Sequence, residues 1–320
     1  MKIAFAGAFA VRLEAQVRPR LPSGCEVIEA DEAGIVTKLG DVDVLVTMGF
    51  TREMAAASNR LKLVQVPGAG LDRIDRSALP AGAALANAYG HEIGIAEYVL
   101  GAMLALTREL GRLDAALRRG VWASQWAVGV PPPAPWPELA GKTLGILGYG
   151  RIGQCVARRA RAFDMTMLAT RRTAVAPDGL AELKAPSALC DVLARADYLA
   201  ITMPLTSETR GLLGARELAS MKRSAIIVNP ARAEILDEDA LYEALAERRI
   251  AGAALDVWYR YPSSPGAAPP AHRPFHELPN VLMTPHVSGW TEGILDARAT
   301  LIAENVRRVA RGEAPLNLIT

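Results

Sequence analysis

The chain has 320 residues, 51% of them hydrophobic and 22% charged, which is globular composition and long enough for two domains. Thirty-six basic residues against 34 acidic ones, without a long Lys/Arg run, exclude an extended nucleic-acid surface, and no apolar stretch reaches the roughly 18 to 20 uncharged residues that span a bilayer. Three widely spaced cysteines predict a reducing, cytoplasmic setting without disulfides and without a metal site.

Short apolar runs alternate with longer helical patterns along the chain. The first 90 residues contain five predicted strands, in KIAFAG, CEVIEA, DVDVLVT, KLVQVPG and AALAN. One long helix is predicted over residues 93–120, and the proline-rich GVPPPAPWPELAG that follows separates two units. Further strands are predicted at 144–147, 165–169, 198–201, 225–228, 252–256 and 281–284. Strands that alternate with helices in this way are typical of parallel doubly wound sheets.

The strongest local motif is GKTLGILGYGRIGQ. Gly148, Gly150 and Gly153 directly follow an apolar strand and open a helix, which is the context of a dinucleotide-binding loop. In such a loop the three glycines permit a tight turn, close approach of the pyrophosphate, and packing of helix against strand, and the helix N-terminus faces the phosphates. The predicted cofactor contacts include the residues between these glycines: Tyr149, Arg151 and Ile152.

A second cofactor signal lies at the end of the next predicted strand, in LATRRTA. Folds that prefer NAD usually carry an acidic residue there, which holds the ribose 2′-hydroxyl. Thr170, Arg171 and Arg172 instead offer a hydroxyl and two guanidiniums, which can hold a 2′-phosphate through charge-assisted bonds. The sequence therefore predicts NADPH (NADP) as the preferred cofactor over NADH.

The chain resembles the D-isomer-specific 2-hydroxyacid dehydrogenases, which include glyoxylate/hydroxypyruvate reductases and phosphoglycerate dehydrogenases. The resemblance extends over nearly the whole chain, in VPGAGLDRID, NAYGHEIGIAEYVLGAMLAL, GKTLGILGYGRIGQ, TMPLTSETRGLL, IIVNPARAEILDEDALYEAL, GAALDVW and LPNVLMTPHVSG. It implies an α/β fold with two doubly wound parallel-sheet domains. Residues 1–90 and 290–320 would form a flavodoxin-like substrate domain, and residues 91–289 a Rossmann dinucleotide-binding domain. It also implies a homodimer, with Trp122 and Trp126 near the contact.

The resemblance assigns roles to particular residues. Arg232 matches the arginine that grips the substrate carboxylate, and His286 matches the histidine that donates a proton as hydride arrives. Asp256 matches the acid that orients the nicotinamide carboxamide. The further cofactor contacts that it implies are Met203, Pro204, Thr209, Pro230, Ala231 and His286. The substrate contacts that it implies are Ala69, Gly70, His91, Arg232 and Trp290.

One position departs from the family pattern. The third catalytic residue of the family is a glutamate that raises the pKa of the histidine, five positions after the aspartate, and here that position is Tyr261. A phenol with a pKa near 10 is neutral at pH 7, so it can orient an imidazole but stabilises imidazolium less than a carboxylate does. Three explanations are open. Another acid, Glu234 or Glu92, reaches the histidine; Tyr261 lies outside the site; or the substrate needs less proton donation.

The third explanation has a specific chemical form. A 2-imino acid is already protonated near neutral pH and accepts hydride without a strong general acid. The main prediction is NADPH-dependent reduction of a small 2-oxo acid to a D-2-hydroxy acid, and the alternative is reduction of a 2-imino acid to a D-amino acid. A second alternative is a nicotinamide-sensing binding protein, against which the presence of Arg232 and His286 argues.

Overall fold

The computed structural model describes residues 1–173, 178–262 and 266–319. The chain divides into two units. The first consists of Met1–His91 and Trp290–Thr320, and the second is Glu92–Gly289. Each unit has its own sheet and its own buried hydrophobic core.

The first unit is built on a five-stranded parallel sheet in the order β2-β1-β3-β4-β5. Its strands are β1 (Lys2–Ala6), β2 (Glu26–Ala30), β3 (Val44–Thr47), β4 (Leu63–Gln65) and β5 (Ala84–Ala86). Its helices are α1 (Ala8–Val17), α2 (Arg52–Ala57) and α9 (Glu292–Ala310). Strand β3 is buried along its whole length, as expected for a central parallel strand covered on both faces. This strand order is the flavodoxin-like one.

The second unit is built on a seven-stranded parallel sheet in the order β12-β11-β10-β9-β6-β7-β8. Its strands are β6 (Thr143–Leu147), β7 (Thr166–Thr170), β8 (Glu182–Lys184), β9 (Tyr198–Ile201), β10 (Ile226–Asn229), β11 (Gly252–Leu255) and β12 (Val281–Met283). Its helices are α3 (Glu92–Thr107), α4 (Leu110–Leu117), α5 (Arg151–Arg161), α6 (Leu189–Arg195), α7 (Ala215–Ala219) and α8 (Glu238–Ala246). The order reverses between β6 and β9, which is the position where Rossmann sheets bind dinucleotides.

The predicted fold class is confirmed, and two local predictions need correction. The single helix predicted over residues 93–120 is two helices, α3 and α4. Glu109 has a left-handed φ of 50°, and a right-handed helix cannot continue through that conformation. Strand β8 was not predicted, because it is a three-residue strand at the sheet edge whose sequence, ELK, lacks a buried apolar run.

The segment after α4 exposes several large apolar side chains. Trp122, Trp126 and Val128 are 59%, 75% and 99% exposed. This is the segment that the resemblance assigns to a dimer contact, and exposed apolar clusters commonly mark protein interfaces. The homodimer stays a prediction. None of the helices in the described part of the chain is both long enough and apolar enough to cross a membrane.

Candidate active site

The predicted catalytic residues of the second unit share one edge of its sheet. The seven strands run parallel, so every segment that follows a strand emerges at the same edge. Arg232 follows β10, Tyr261 follows β11, and His286 follows β12. The glycine-rich turn follows β6 at this same edge. Ligands of open α/β sheets bind at this edge, outside the carboxyl ends of the strands.

The glycine-rich turn leaves space only at its second glycine. Gly148 has a φ of 97°, and a Cβ there would lie 2.7 Å from the backbone of Met203. A Cβ on Gly153 would lie 2.6 Å from the carbonyl oxygen of Gly148. Among the described residues beyond its chain neighbours, no atom lies within 4 Å of the corresponding position on Gly150, and no described side chain caps the N-terminus of α5. The turn therefore fits a dinucleotide, because it offers open backbone at the positive end of a helix.

Two side chains hold this turn in place. The hydroxyl of Tyr149 donates to Asp178 Oδ2 at 2.7 Å, and its N–H donates to the carbonyl of Thr170 at 2.9 Å. Burial raises the pKa of Tyr149, so its hydroxyl stays protonated. Arg171 Nη1 donates to the carbonyl of Tyr149 at 2.6 Å. Arg171 is therefore engaged with the turn itself.

Arg172 is placed differently from Arg171. Its side chain is 80% exposed, and Nη1 lies 3.7 Å from Glu208 Oε2. An exposed pair at that distance restrains the arginine little. Of the two arginines predicted to face a 2′-phosphate, Arg172 is therefore the one whose guanidinium extends into solvent. Residues 174–177, which come next, lie outside the described residues.

A buried carboxylate organises the loop that carries His286. Oδ1 of Asp256 accepts the hydroxyl of Thr284 at 2.6 Å and the N–H of Val287 at 2.9 Å, and Oδ2 accepts the N–H of Ser288 at 2.8 Å. His286 itself has a left-handed φ of 58°. For a non-glycine residue this conformation costs about 1–2 kcal/mol. The three bonds to Asp256 offset that cost, because charge-assisted bonds are stronger than neutral ones.

This arrangement adds to the predicted role of Asp256. The carboxylate was expected to orient the nicotinamide carboxamide, and that role stays a prediction. Both carboxylate oxygens of Asp256 accept hydrogen bonds from the His286 loop, so Asp256 holds that loop in place. The side chain is fully buried, as a group with this task should be.

Tyr261 is in contact with His286. The phenolic oxygen lies 2.7 Å from Nδ1 of the imidazole, and the two ring centroids are 5.7 Å apart. The explanation that placed Tyr261 outside the site is therefore wrong. Desolvation raises the pKa of the phenol above its usual value of 10, so Tyr261 is neutral at physiological pH. It can donate to Nδ1 of a neutral imidazole or accept Nδ1–H of a protonated one, and it carries no charge in either case.

Arg232 lies in a turn that is closed by hydrogen bonds within Asn-Pro-Ala-Arg. Asn229, buried at the end of β10, accepts from the N–H of Ala231 at 3.0 Å and donates to the carbonyl of Arg232 at 2.8 Å. Arg232 Nη1 also donates to the carbonyl of Ala231 at 2.8 Å. Pro230 and Ala231, two predicted cofactor contacts, belong to this same turn.

The loop after β9 holds the remaining predicted cofactor contacts. Met203 packs against the glycine-rich turn through its backbone, as described for Gly148. Thr209 donates its hydroxyl to the carbonyl of Pro204 at 2.8 Å and accepts the N–H of Thr206 at 2.8 Å. These bonds fix a compact loop beside the strand-order reversal.

Four predicted substrate contacts lie in the first unit: Ala69, Gly70, His91 and Trp290. Ala69 and Gly70 follow β4, and Asn87 donates its amide to the carbonyl of Ala69 at 3.1 Å. Trp290 packs edge-to-face on Phe9, with ring centroids 5.7 Å apart. The substrate roles of all four stay predictions.

Sequence reasoning missed three residues that support these sites: Asn87, Tyr98 and Thr284. Thr284 lies in the TPHVSG motif and Asn87 in NAYGHE, so the family motifs could have indicated both residues. Tyr98 lies inside α3, a helix with apolar residues on most sides, and no pattern distinguished it. In the described part of the chain, no group of three His, Cys, Asp or Glu side chains could hold a metal ion.

The fold and the glycine-rich turn define a dinucleotide-binding α/β protein. The family model "D-isomer specific 2-hydroxyacid dehydrogenase, NAD binding domain" matches residues 100–288. The chain belongs to the D-isomer specific 2-hydroxyacid dehydrogenases, a family of NAD(P)-dependent oxidoreductases. The family resemblance noted from the sequence is thereby confirmed.

Two curated relatives show the extent of the similarity. D-3-phosphoglycerate dehydrogenase of Methanocaldococcus jannaschii is 38% identical over 293 residues, which cover 89% of this chain and 53% of that protein. The chain therefore spans about half the length of that relative. Glyoxylate reductase of Thermococcus gammatolerans is 36% identical over 291 residues, which cover 89% of this chain and 85% of that protein.

Two solved structures share the whole fold. An acyclic imino acid reductase in complex with NADPH and D-Arg has a TM-score of 0.84 and 24% identity, covering all of both chains. An NADPH-dependent glyoxylate/hydroxypyruvate reductase from Sinorhizobium meliloti, in complex with NADP and malonate, has a TM-score of 0.83 and 27% identity. That match covers all of this chain and 96% of the other.

The glycine-rich turn generates a paired prediction. Gly148→Ala should lower the free energy of unfolding by roughly 1–3 kcal/mol and abolish dinucleotide binding, because the new Cβ meets the backbone of Met203. Gly150→Ala should leave the free energy of unfolding nearly unchanged but weaken dinucleotide binding by roughly tenfold or more. Denaturant unfolding and fluorescence titration measure the two effects. Unchanged affinity in Gly150→Ala would mean that the dinucleotide does not approach this turn.

Proposed function

We propose that the chain is a reductase that transfers hydride from NADPH to a small 2-oxo acid and yields a D-2-hydroxy acid. The observation that carries this proposal is the shared sheet edge, with Arg232, His286 and the glycine-rich turn at the carboxyl ends of parallel strands. Reduction of a 2-oxo acid needs a cation for the carboxylate and a proton donor for the developing alkoxide. The glyoxylate reductase that shares 36% identity supports this substrate class.

The reaction balances with one hydride and one proton. The bound cofactor supplies the hydride to the carbonyl carbon of the substrate. Arg232 holds the substrate carboxylate and polarises the carbonyl, whose oxygen receives a proton from His286 as the C–O double bond becomes single. Nδ1 of His286 faces Tyr261, so the proton leaves from Nε2. Solvent then restores the proton to the imidazole.

The proposed preference for NADPH follows from the end of β7. Arg172 extends into solvent there, and its charge can meet the 2′-phosphate. Arg171 contributes indirectly, because it holds the carbonyl of Tyr149 and so shapes the turn for either cofactor. The Sinorhizobium meliloti reductase, 27% identical, was solved with NADP and supports this preference.

The contact between Tyr261 and His286 favours a second candidate, reduction of a 2-imino acid to a D-amino acid. A neutral phenol does not compensate the charge of an imidazolium, whereas the glutamate of the family pattern would. An iminium already carries its proton, and hydride addition at carbon gives the amine with no proton from the enzyme. The solved acyclic imino acid reductase has the same fold, so this fold is compatible with imine reduction.

The first prediction from the proposed function concerns the cofactor. Arg172→Asp should lower kcat/KM for NADPH by roughly tenfold or more and leave kcat/KM for NADH nearly unchanged, because only NADPH has the 2′-phosphate that Arg172 is proposed to bind. Arg171→Asp should lower both values, since it releases the carbonyl of Tyr149. Glu208→Gln is the control, because it removes the exposed ion pair but keeps the cation. Equal use of both cofactors by the wild type would contradict the proposed preference.

The second prediction concerns substrate binding. Arg232→Lys keeps the charge but loses the planar fork that holds a carboxylate through two bonds, so kcat/KM should fall by roughly 100-fold or more. Arg210→Lys, an exposed arginine paired loosely with Glu234, should change it less than about twofold. Steady-state kinetics with a panel of 2-oxo acids measures both. Near-normal activity of Arg232→Lys would show that another residue grips the substrate.

The third prediction separates the two substrate classes. Tyr261→Glu should place a carboxylate against His286, stabilise the imidazolium, and extend 2-oxo acid reduction to higher pH by about one unit. Imine reduction should gain little or fall, because an iminium needs no enzyme proton. Tyr261→Phe, which keeps the ring, controls for loss of the hydrogen bond alone.

The measurement is a pH profile with a matched pair of substrates, one carbon skeleton as the oxo acid and as the imine generated in place. Rapid oxo acid reduction up to pH 8 by the wild type, with no imine reduction, would eliminate the imino acid candidate. Identical profiles for the wild type and Tyr261→Glu would show that Tyr261 has no part in proton donation.

A further inference from the structure

We propose that Tyr98 is a positioning residue for His286, acting through Thr284 and Asp256. The inference rests on the proposed function, since it assigns Tyr98 to the proton donor of that reaction. Tyr98 lies on α3, and its hydroxyl oxygen is 2.8 Å from the hydroxyl oxygen of Thr284. Thr284 is the first residue after β12 and lies two residues before His286.

The direction of every hydrogen bond in this chain of contacts is determined. The carboxylate of Asp256 only accepts, so the single hydroxyl proton of Thr284 points to Oδ1. Thr284 therefore has no proton left to give to Tyr98, and Tyr98 must be the donor. Tyr98 therefore donates to Thr284 and Thr284 donates to Asp256, and Asp256 also accepts the N–H groups of Val287 and Ser288, which follow His286.

Tyr98 keeps this donor role throughout the working pH range. Burial raises the pKa of Tyr98 to about 12, and the charge of Asp256 acts in the same direction. The backbone of Thr284 is held as well, because its carbonyl accepts from Trp258 Nε1 at 2.8 Å and its N–H donates to Leu255 at 3.0 Å. With the backbone fixed, the hydroxyl of Thr284 is the part that Tyr98 orients.

Loss of the Tyr98 hydroxyl should affect catalysis more than folding. The Thr284 hydroxyl would lose its donor, and its alignment on Asp256 would relax. Asp256 is what holds the loop on both sides of His286, a residue with a left-handed backbone. The imidazole would then occupy its place against Tyr261 for a smaller fraction of the time, which lowers kcat. The described hydrogen bond of the Tyr98 hydroxyl goes to Thr284 and not to the glycine-rich turn, so KM for the cofactor should change by less than about twofold.

The same helix offers a matched control. Thr107, at the other end of α3, shares a hydrogen bond of 2.9 Å with the hydroxyl of Tyr198, which is buried. Burial also raises the pKa of Tyr198. Tyr198→Phe therefore removes a tyrosine–threonine bond of the same kind, in the same unit, without touching the His286 loop. Both phenylalanine variants should lose similar stability.

The kinetic test compares four variants of the full chain. Tyr98→Phe should lower kcat by roughly three- to tenfold with KM for NADPH within about twofold of the wild type, whereas Tyr198→Phe should leave kcat within about twofold. Thr284→Val, which removes both hydroxyl bonds, should lower kcat by on the order of 100-fold, and Thr284→Ser should restore it to nearly the wild-type value. Equal kcat in Tyr98→Phe and Tyr198→Phe would overturn the proposal and leave Tyr98 a structural residue of α3.

A second readout does not depend on turnover. The imidazole resonance of His286, assigned by its loss in His286→Asn, should shift and broaden in Tyr98→Phe and more so in Thr284→Val. It should be unchanged in Thr284→Ser and Tyr198→Phe. An unchanged resonance in Tyr98→Phe would contradict the proposal even if kcat falls. If the wild type reduces neither oxo acids nor imines, the proposed function fails, and this resonance alone decides whether Tyr98 positions His286.

Discussion

The hydrogen bonds of the buried Asp256 carboxylate are the interactions on which the His286 loop depends. Its two oxygens join the end of β11 to the loop after β12 through three hydrogen bonds. A buried charge is unfavourable unless it is fully bonded, and here the bonding partners are the residues that flank His286. These hydrogen bonds fix the loop in which His286 has a left-handed backbone. Tyr98, Trp258 and Thr284 complete the support of that loop.

The glycine-rich turn depends on a different physical constraint, which is the lack of space for a side chain at Gly148 and Gly153. Gly148 and Gly153 are enclosed by the backbone of Met203 and by the turn itself, and side chains at these positions would displace the helix from the strand. Arg171 adds a charged bond to the carbonyl of Tyr149. Arg171 thus has a structural task at this strand end, and the neighbouring Arg172 extends into solvent.

Tyr261 places a neutral hydroxyl beside the imidazole of His286. Its phenolic oxygen lies 2.7 Å from Nδ1 of the imidazole, and the phenol brings no charge. A site of this kind orients a histidine well and stabilises its protonated form less. Under the proposed function, this neutral contact is what makes a 2-imino acid the second candidate beside a 2-oxo acid.

Much of this protein was determined by local sequence. The alternation of apolar runs and helical patterns predicted both parallel sheets, because buried parallel strands require continuous apolar segments. The order of motifs alone identifies the family, and Tyr261 departs from the family pattern in the sequence itself. Edge strand β8 and the break at Glu109 escaped prediction, because a short polar strand and a single left-handed residue leave no periodic signal.

Only the tertiary structure decided which side chains meet. Tyr98 and Thr284 are 186 positions apart, and Tyr261 and His286 are 25 apart, so neither hydrogen bond has a local pattern. Arg171 and Arg172 are adjacent and look equivalent in the sequence. Only their surroundings distinguish them, because Arg171 bonds to the glycine-rich turn and Arg172 extends into solvent. Hydrogen bonds depend on distances and directions that the packing of strands and helices sets, and a one-dimensional pattern contains neither.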